Sequence, residues 1–308
     1  MEFRKLTMIS VLMSTYKEPI SYVQKAVQSI LNQSYSNIEF IIIVDDPQNE
    51  LVIKYLKTCE EKDERIRIYI NDSNIGLVAS LNKGLLLCKG EYIVRMDADD
   101  ISNPARLEKQ LCYIKKKGYD LVGAQIETFT DERTIGTFCF PEEHSKCKKA
   151  LRYYTSIPHP AWFCKREIYE KLEGYRDIKA CEDYDFLIRA VLAGFKLGNC
   201  PEKLLRYRRN MSSISNTNIN AQKVIAKFLS QKFRHGKEVE MEEYKDYIRS
   251  EKYERAVLKN KKLDQNKKEY KQTNNLFKKV YLLIKILLDF DFIRQKISIK
   301  KTSRSKSN

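Results

Sequence analysis

The sequence lacks the patterns that mark several protein classes. Its eight cysteines form no CxxC pair and their spacings match no zinc site, which favours reduced thiols in the cytosol. Seven prolines and ten glycines in 308 residues exclude a fibrous or low-complexity chain. No stretch reaches about 18 uninterrupted apolar residues, so we expect no membrane-spanning helix. The N-terminal apolar run has no small-residue cleavage site, so we expect no signal peptide.

Excess positive charge is nearly missing from the first two thirds of the chain. Residues 1–215 carry 33 Lys and Arg against 30 Asp and Glu, whereas residues 216–308 carry 24 against 11. The formal net charge of +16 therefore belongs mainly to a C-terminal extension over 216–308. A basic extension predicts an anionic partner, either a membrane surface or a nucleic acid. The alternative is a basic helical region that is simply solvated.

The first 125 residues alternate short apolar runs with helical patterns. The continuous apolar run over 38–44 predicts a strand buried on both faces, and the three-and-four spacing over 22–33 predicts a helix. The same reasoning predicts strands at 8–13, 65–70, 92–96 and 121–125, and helices at 51–59, 77–88 and 104–117. This alternation predicts an α/β fold with a mostly parallel sheet, which binds ligands at the carboxyl ends of its strands.

The pattern loosens after residue 125. We predict a hairpin over 129–140 with its turn near 131–133, and a helix over 182–193 that ends at Gly194. Residues 156–174 are predicted to form a loop and a short helix, and the chain beyond 216 to be polar and helical. These patterns divide the chain into an α/β unit over 1–215, with halves of 1–125 and 126–215, and the extension.

Acidic residues cluster at three places: Asp45-Asp46, Asp97-Ala98-Asp99-Asp100 and Glu182-Asp183. The first two clusters follow predicted buried strands, where carboxylates reach the ligand-binding edge of a sheet. Crowded carboxylates repel one another unless a cation offsets their charge, and Mg²⁺ and Mn²⁺ prefer carboxylate and phosphate oxygens. The alternative for each cluster is a turn or a helix cap.

Six segments of the sequence, in this order, resemble family 2 glycosyltransferases of the GT-A fold, especially bacterial polysaccharide- and lipopolysaccharide-assembly enzymes. The segments are ISVLMSTYKEP, IIIVDDPQNE, NIGLVASLNKGLLLCKGEYIVRMDADDIS, HPAWFCKREIYEKLEGYRD, CEDYDFLIRA and YRRNMSSIS. They cover roughly residues 7–215 and leave the last ~90 residues outside the resemblance.

The resemblance implies a role for each matching residue. Ser14 and Tyr16 would cradle the nucleotide base, with Tyr16 stacked on it, and Asp46 would bond the base edge. Asp97 and Asp99 match the D-x-D motif, in which Asp99 would bind a divalent metal and Asp97 the ribose or the metal. In the helix at 182, Asp183 matches the catalytic base and Glu182 stands beside it. The half over 1–125 would bind the nucleotide sugar, and the half over 126–215 the acceptor.

The implied activity is transfer of a sugar, with inversion, from a nucleotide-diphosphate sugar to a hydroxyl group. The resemblance makes a UDP-sugar the default donor, Mn²⁺ or Mg²⁺ the cofactor, and a glycan or lipid-linked molecule the acceptor. A direct displacement needs no covalent intermediate, so no Ser/His or Cys/His pair is expected. Only three histidines are present, at positions 144, 159 and 235, which fits this expectation.

Some positions depart from the family pattern. Pro47 follows the first aspartate pair where relatives carry glycine or asparagine, and Asn210 stands where many have a histidine. We therefore do not expect Asn210 to bind metal. Arg208 could meet a phosphate or be a surface arginine. His159 lies in an acceptor-side loop, as a structural or a functional residue, and Trp162 is expected to pack rather than to stack on a sugar.

The end of the extension has an amphipathic pattern. Over 276–299 apolar residues recur at helical spacing among lysines, which predicts a helix that lies on an anionic membrane surface. The enzyme would then be cytoplasmic and peripheral on the cytoplasmic face. The alternative is a helix docked on the body of the protein.

Three other functions compete with a transferase. A nucleotidyltransferase would carry a glycine-rich phosphate loop after the first strand, but the loop here is STYKEP. A nucleic-acid-binding protein would need a base-reading motif, and none is seen, so no nucleic acid partner is expected. An inactive transferase would not need intact Asp97, Asp99 and Asp183.

Overall fold

The apolar runs of the α/β unit over 1–215, called the body, form the strands of a single mixed sheet. The structure, a computed structural model, describes residues 7–209 and 219–287. The strands in chain order are β1 (Ile9–Thr15), β2 (Ile38–Val44), β3 (Ile66–Ile70), β4 (Tyr92–Asp97), β5 (Ile101–Ser102), β6 (Leu121–Phe129), β7 (Thr134–Phe138), β8 (Phe163–Lys165) and β9 (Leu197–Arg208). Their order in the sheet is β3-β2-β1-β4-β8-β6-β9-β5, and β7 pairs with β6.

The helices follow the predicted alternation. They are α1 (Ile20–Leu31), α2 (Glu50–Lys62), α3 (Leu77–Leu87), α4 (Arg106–Lys117), α5 (His144–Ala150), α6 (Arg166–Lys171), α7 (Glu182–Leu192), α8 (Ile219–Arg234), α9 (Met241–Arg249), α10 (Glu251–Gln272) and α11 (Leu276–Leu287). Every element predicted within the first 125 residues is present, most with ends within two residues of the prediction.

Strands β1 to β4 form the parallel part of the sheet. All seven residues of β2 are buried because helices cover both faces of the sheet. On β1, alternate side chains enter different cores: Val11 and Met13 pack with helices α1, α2 and α4, and Leu12 packs with α3 and α7. This parallel part brings the carboxyl ends of β2, β1 and β4 side by side.

The rest of the sheet is mixed. The short strand β8 lies antiparallel between β4 and β6, and β7 is antiparallel to β6. The long strand β9 runs parallel to β6 with register shifts between Ala124 and Ile126. The hairpin of β6 and β7 turns over residues 130–133, as predicted.

The first helices of the extension pack on the body. Leu229 and Phe233 of α8, with Tyr244 of α9, belong to the same buried cluster as Trp162 and Phe186 of the body. The Tyr244 hydroxyl also accepts a hydrogen bond of 3.0 Å from the backbone N–H of Lys179. The domain boundary near residue 215 stays a prediction, but α8 and the body share one core.

Two further features of the described ranges concern their surface. No helix within 7–209 or 219–287 is both long enough and apolar enough to cross a bilayer. A groove of about 650 Å³ opens on the extension, lined by Phe228, Gln231, Lys232, His235, Lys237, Glu243 and Lys252. None of the predicted site residues lines this groove.

Candidate active site

The predicted nucleotide residues lie at the carboxyl edge of adjacent parallel strands. Ser14 is the register partner of Asp97 across β1 and β4. Tyr16 is exposed just beyond the end of β1. Asp46 follows the end of β2, whose last residue pairs with Thr15. The structure therefore brings these four predicted residues to one edge of the sheet, although their contacts with a nucleotide stay predictions.

The two aspartates after β2 differ in their surroundings. Asp45 is buried, and its carboxylate accepts four hydrogen bonds of 2.7–3.0 Å from the loop between β3 and α3, donated by Asn71 Nδ2, Asn74 Nδ2, Ile75 N and Gly76 N. Asp46 is only half-buried, and its carboxylate accepts one bond of 3.2 Å, from Gln48 N. Asp45 holds the loop, and Asp46 keeps an oxygen available for a ligand.

Three carboxylates gather at the end of β4. Asp97, Asp99 and Asp100 each offer an oxygen, and these oxygens lie within 4.8 Å of one another. Burial, followed by repulsion from Asp97, raises the pKa of Asp99 to about 7 and the pKa of Asp100 well above its usual value. Asp100 Oδ2 is buried and has no hydrogen-bond partner among the described residues. Crowded, desolvated carboxylates with a free oxygen fit a divalent cation.

Asp100 was not among the predicted metal residues. The signal was present in the sequence, because Asp100 directly follows the D-x-D pair. Within this cluster, however, the resemblance implies roles only for Asp97 and Asp99, the two aspartates of the D-x-D pair. Glu18 is a second residue that the sequence did not single out: it contributes to the raised pKa of Asp99 after burial and Asp97. Its carboxylate accepts bonds of 2.7 Å from Thr15 Oγ1 and Tyr16 N.

Arg208, at the end of β9, clamps the acidic loop. Its backbone N–H donates to Asp100 Oδ1 and its Nε donates to the Asp99 carbonyl oxygen, both at 2.8 Å. The guanidinium lies over the rings of Tyr22 at 3.8 Å and Phe129 at 4.4 Å. Its Nη2 is buried, and no residue that the structure describes hydrogen-bonds to it. Arg208 is therefore a buried residue that positions the aspartates, and not a surface arginine.

The hairpin turn after β6 completes this clamp. Asp131 forms an ion pair with the guanidinium of Arg208 and accepts a hydrogen bond of 2.5 Å from the Tyr22 hydroxyl. The hydrogen bond from Tyr22 is the first cause of the lowered pKa of Asp131. Asn210, two residues after Arg208, lies outside the described residues.

Glu182 and Asp183 open helix α7. Burial raises the pKa of Glu182 to about 7 and that of Asp183 to about 6. A hydrogen bond of 2.7 Å from the Tyr184 N–H opposes this rise at Asp183. The charges of Arg95 and Asp97 act on both carboxyl groups, so the start of α7 lies within electrostatic reach of the end of β4.

Arg95 links the two acidic groups. Its side chain is buried and forms an ion pair with Asp97. Its charge favours the ionised forms of Glu182 and Asp183, whereas burial opposes them. The buried guanidinium of Arg95 thus stabilises the ionised carboxyl groups of both β4 and α7.

The third acid of the α7 turn is structural. Asp185 is buried and pairs with Arg189 Nε at 2.9 Å and with Arg176 Nε at 3.0 Å. Arg176 also reaches Glu238, at 3.2 Å, in the chain between α8 and α9. These pairs fix the start of α7 and leave Glu182 and Asp183 without a basic hydrogen-bond partner among the described residues.

The aromatic residues near this helix are packed. Trp162 is fully buried and its Nε1 donates to the Ile157 carbonyl oxygen at 3.3 Å. The predicted packing role of Trp162 is therefore correct. His159 Nε2 lies 2.9 Å from the Tyr175 hydroxyl, and burial lowers the pKa of His159 well below its usual value. A neutral, hydrogen-bonded imidazole favours the structural alternative for His159.

Known proteins resemble this chain in sequence and in fold. Residues 10–172 match the family described as glycosyl transferase family 2. An uncharacterized glycosyltransferase of Methanocaldococcus jannaschii is 36% identical over 205 residues, which cover 65% of this chain and 70% of the relative. The O-antigen biosynthesis glycosyltransferase WbnJ of Escherichia coli is 35% identical over 212 residues, covering 68% and 82%.

Solved structures share the fold at low sequence identity. Staphylococcus aureus TarS (residues 1–349), in complex with UDP-GlcNAc, superposes with a TM-score of 0.59 at 15% identity and covers 73% of this chain and 70% of that one. The predicted GT-A-type α/β fold is thereby confirmed. With an acidic cluster at the carboxyl edge of its parallel strands and a family match over more than half its length, the chain belongs to glycosyl transferase family 2.

Proposed function

We propose that the protein is a metal-dependent, inverting glycosyltransferase that moves a sugar from a UDP-sugar to a glycan or lipid-linked acceptor in cell-surface polysaccharide assembly. The observation that carries this proposal is the cluster of Asp97, Asp99 and Asp100, with Glu182 and Asp183 within its electrostatic reach. The relatives WbnJ and the amylovoran biosynthesis glycosyltransferase AmsE of Erwinia amylovora support the polysaccharide context.

The donor would bind along the carboxyl edge of β2, β1 and β4. Tyr16 has an exposed ring that can stack on a base, and Asp46 has a carboxylate oxygen available for the base edge. Ser14 and Asp97 lie next to each other across two strands, where the ribose would follow. The complexes of TarS with UDP-GlcNAc and with UDP support a uridine nucleotide.

Asp97, Asp99 and Asp100 would hold a divalent cation, Mn²⁺ or Mg²⁺, which when bound supplies positive charge against the departing diphosphate. Arg208 keeps Asp99 and Asp100 in place by bonding to both. The buried Arg95 balances part of the acidic charge when the site is empty of substrate. Burial raises the pKa values of Asp99 and Asp100, so keeping these two carboxylates ionised for a cation costs folding free energy.

Asp183 would be the general base. With its pKa raised to about 6, it is mostly ionised at neutral pH and still basic enough to accept a proton. The acceptor hydroxyl loses its proton to Asp183 as its oxygen bonds to the anomeric carbon. The bond from that carbon to the diphosphate breaks on the opposite face, and the electron pair leaves with the diphosphate. One displacement inverts the configuration, and positioned proton transfer contributes roughly 10²–10⁴-fold.

The acceptor would enter from the side of α7, in the half over 126–215, while the half over 1–125 holds the nucleotide sugar. We also propose that the enzyme works in the cytoplasm, at the cytoplasmic face of the membrane, and that it uses no nucleic acid partner. Lipid-linked acceptors would be presented there.

The proposal is tested by thermal shift and donor hydrolysis. A panel of nucleotide sugars is scored with Mn²⁺ present, because a ligand at about 100 times its Kd stabilises the folded state by about 2.7 kcal/mol. We expect a UDP-sugar to raise the Tm and to be hydrolysed. Asp99→Asn should remove the Mn²⁺-dependent part of both signals and lower hydrolysis by about 100-fold or more.

Asp246→Asn is the matched control, because Asp246 is an exposed aspartate of α9 remote from the acidic cluster in sequence. It should behave as the wild type. Hydrolysis that is equal in Asp99→Asn and in the wild type, or equal with and without a chelator, would refute metal dependence at this site. Release of pyrophosphate from a nucleoside triphosphate and a sugar phosphate would instead indicate a nucleotidyltransferase.

A further inference from the structure

Helix α11 exposes an unusual amount of apolar surface. Phe277 is 88% exposed, Leu276 72% and Tyr281 56%, and Val280, Leu283 and Ile284 are also exposed. An isolated exposed leucine is ordinary on a soluble protein, but six neighbouring large apolar side chains on one helix are not. This set of six residues is called the apolar face of α11.

The opposite side of the same helix is packed on the protein. Leu282 and Ile286 are buried, and Lys278 Nζ lies 3.3 Å from Glu269 of α10. Helix α11 is therefore held by α10 through one side, and its apolar face points away from that contact. Packing on α10 accounts for the burial of Leu282 and Ile286, but not for the exposure of the apolar face.

Lysines flank the apolar face. At about 100° per residue the six apolar side chains span an arc of about 160°. Lys278 and Lys285 lie beyond one border of this arc and Lys279 beyond the other. The helix contains no acidic residue over its 12 positions, and Lys285 Nζ lies 4.3 Å from the Tyr281 ring. Long lysine side chains at the borders can keep their charge in the headgroup layer while the arc enters the acyl region.

We propose that the apolar face of α11 docks into the interface of an anionic lipid bilayer. A lipid surface fits both features at once, because it covers the apolar arc and supplies negative charge to the lysines on both borders. A protein partner would need an apolar groove with acidic residues on both rims. The sequence beyond the helix, over 288–308, adds six Lys and Arg against two Asp, which gives charge of the same sign.

Vesicle co-sedimentation tests this docking surface with the full chain. Vesicles of phosphatidylcholine, with and without phosphatidylglycerol, are the probes. The wild type should bind the anionic vesicles, and more weakly as salt rises. The double variant Phe277→Glu/Ile284→Glu places two charges in the middle of the arc and should bind at least about tenfold more weakly. The variant Lys279→Gln/Lys285→Gln, which removes one lysine at each border of the arc, should bind anionic vesicles about thirtyfold more weakly, since each lysine contributes about fivefold.

The matched control is Leu51→Glu/Leu86→Glu, which introduces the same two acidic residues at leucines of α2 and α3 that are at least as exposed as Phe277 and Ile284. It should bind vesicles as the wild type does. Equal loss in this control, or no binding of the wild type to anionic vesicles, overturns the proposal. So does a wild-type dimer in light scattering that Phe277→Glu/Ile284→Glu converts to a monomer, since a second copy would then cover the face.

The role of the apolar face of α11 in glycosyl transfer rests on the proposed function, but the test of its lipid binding does not. Lipid binding is measured without a sugar donor, and donor hydrolysis is measured without lipid. Phe277→Glu/Ile284→Glu should hydrolyse donor at the wild-type rate. If no variant and no wild type hydrolyses any donor while vesicle binding follows the expected order, the proposed function fails and the membrane surface stands.

Discussion

At the scale of single residues, the first turn of α7 assigns different tasks to neighbouring acids. Asp185 is neutralised by Arg189 and Arg176, so its charge serves the structure. Asp183 has no basic partner among the described side chains that bonds to it, and burial raises its pKa to about 6. A carboxylate that is desolvated but unpaired is suited to accept a proton, and a paired one is not.

Replacing Asp183 should therefore remove catalysis and leave donor binding. We expect Asp183→Asn to lower kcat by about 10²–10⁴-fold with the KM for the donor nearly unchanged, since the amide cannot accept the proton. Steady-state hydrolysis of the UDP-sugar that raises the Tm measures both values. Asp177→Asn, an exposed aspartate just before α7, is the control and should keep full activity. A kcat of Asp183→Asn within about threefold of the wild-type value would contradict the assignment of Asp183 as the base.

The pH profile gives a second readout of the same residue. Because the base works only when ionised, wild-type kcat should rise with pH through about 6 and level off above it. Below that pKa the loss should approach about tenfold per pH unit. The residual activity of Asp183→Asn should lack this acidic limb. A flat wild-type profile between pH 5 and 8 would argue against a raised carboxyl pKa at the rate-limiting step.

How far the sequence predicts single residues depends on whether local pattern or contact decides the role. The location of the D-x-D motif at the ligand-binding edge of the sheet could be predicted because the motif directly follows a buried strand. The tethering role of Asp45 could not be predicted, because adjacent identical residues carry the same local signal. Only the fold shows that the loop before α3 turns its donors toward Asp45.

At the scale of elements, the conformation of the loop between β3 and α3 depends on the buried side chain of Asp45. We expect Asp45→Ala to lower the free energy of unfolding by about 2–5 kcal/mol, because it leaves several buried donors unpaired. Urea denaturation measures the change. Asp46→Ala should change stability by less than about 0.5 kcal/mol and should weaken binding of the nucleotide instead. Equal destabilisation by both variants would show that Asp45 is not the main tether.

Elements buried on both faces were the easiest to predict. Strand β2 appears as an unbroken apolar run because helices cover it on both sides. Strand β9 was missed for the opposite reason: residues 201–203 in its middle are exposed, and its pairing with β6 shifts register there. Strand β8 has three residues, which is too short for a period to be visible.

The hairpin of β6 and β7 was predicted from its turn, but the contacts that this turn makes with the rest of the protein were not predicted. The turn carries Asp131 to Tyr22 and Arg208, which lie 109 and 77 residues away in the sequence. No local pattern encodes contacts of that separation. The clamp on the acidic loop is therefore visible only once β6 and β9 are paired.

At the scale of the whole molecule, the extension is tied to the body through a shared core and a chain of ion pairs. Arg176 joins Asp185 of α7 to Glu238, which follows α8. Phe233 of α8 is buried in the cluster that contains Trp162. Composition suggested a separate unit because charge changes near residue 216, but charge describes the surface, and the core is decided by the apolar stripe of α8.

This shared core predicts a common unfolding transition. Trp162 is the only tryptophan of the chain, so its fluorescence reports the body alone. Phe233→Ala, made in the extension, should lower the unfolding free energy seen by Trp162 by about 3–5 kcal/mol, because it opens a cavity in the common cluster. Leu258→Ala on the exposed side of α10 should change it by less than about 0.5 kcal/mol. If Phe233→Ala left the Trp162 transition unchanged while far-ultraviolet circular dichroism showed loss of helix at lower urea, the extension would be an independent unit, and α11 would not be rigidly coupled to the candidate active site.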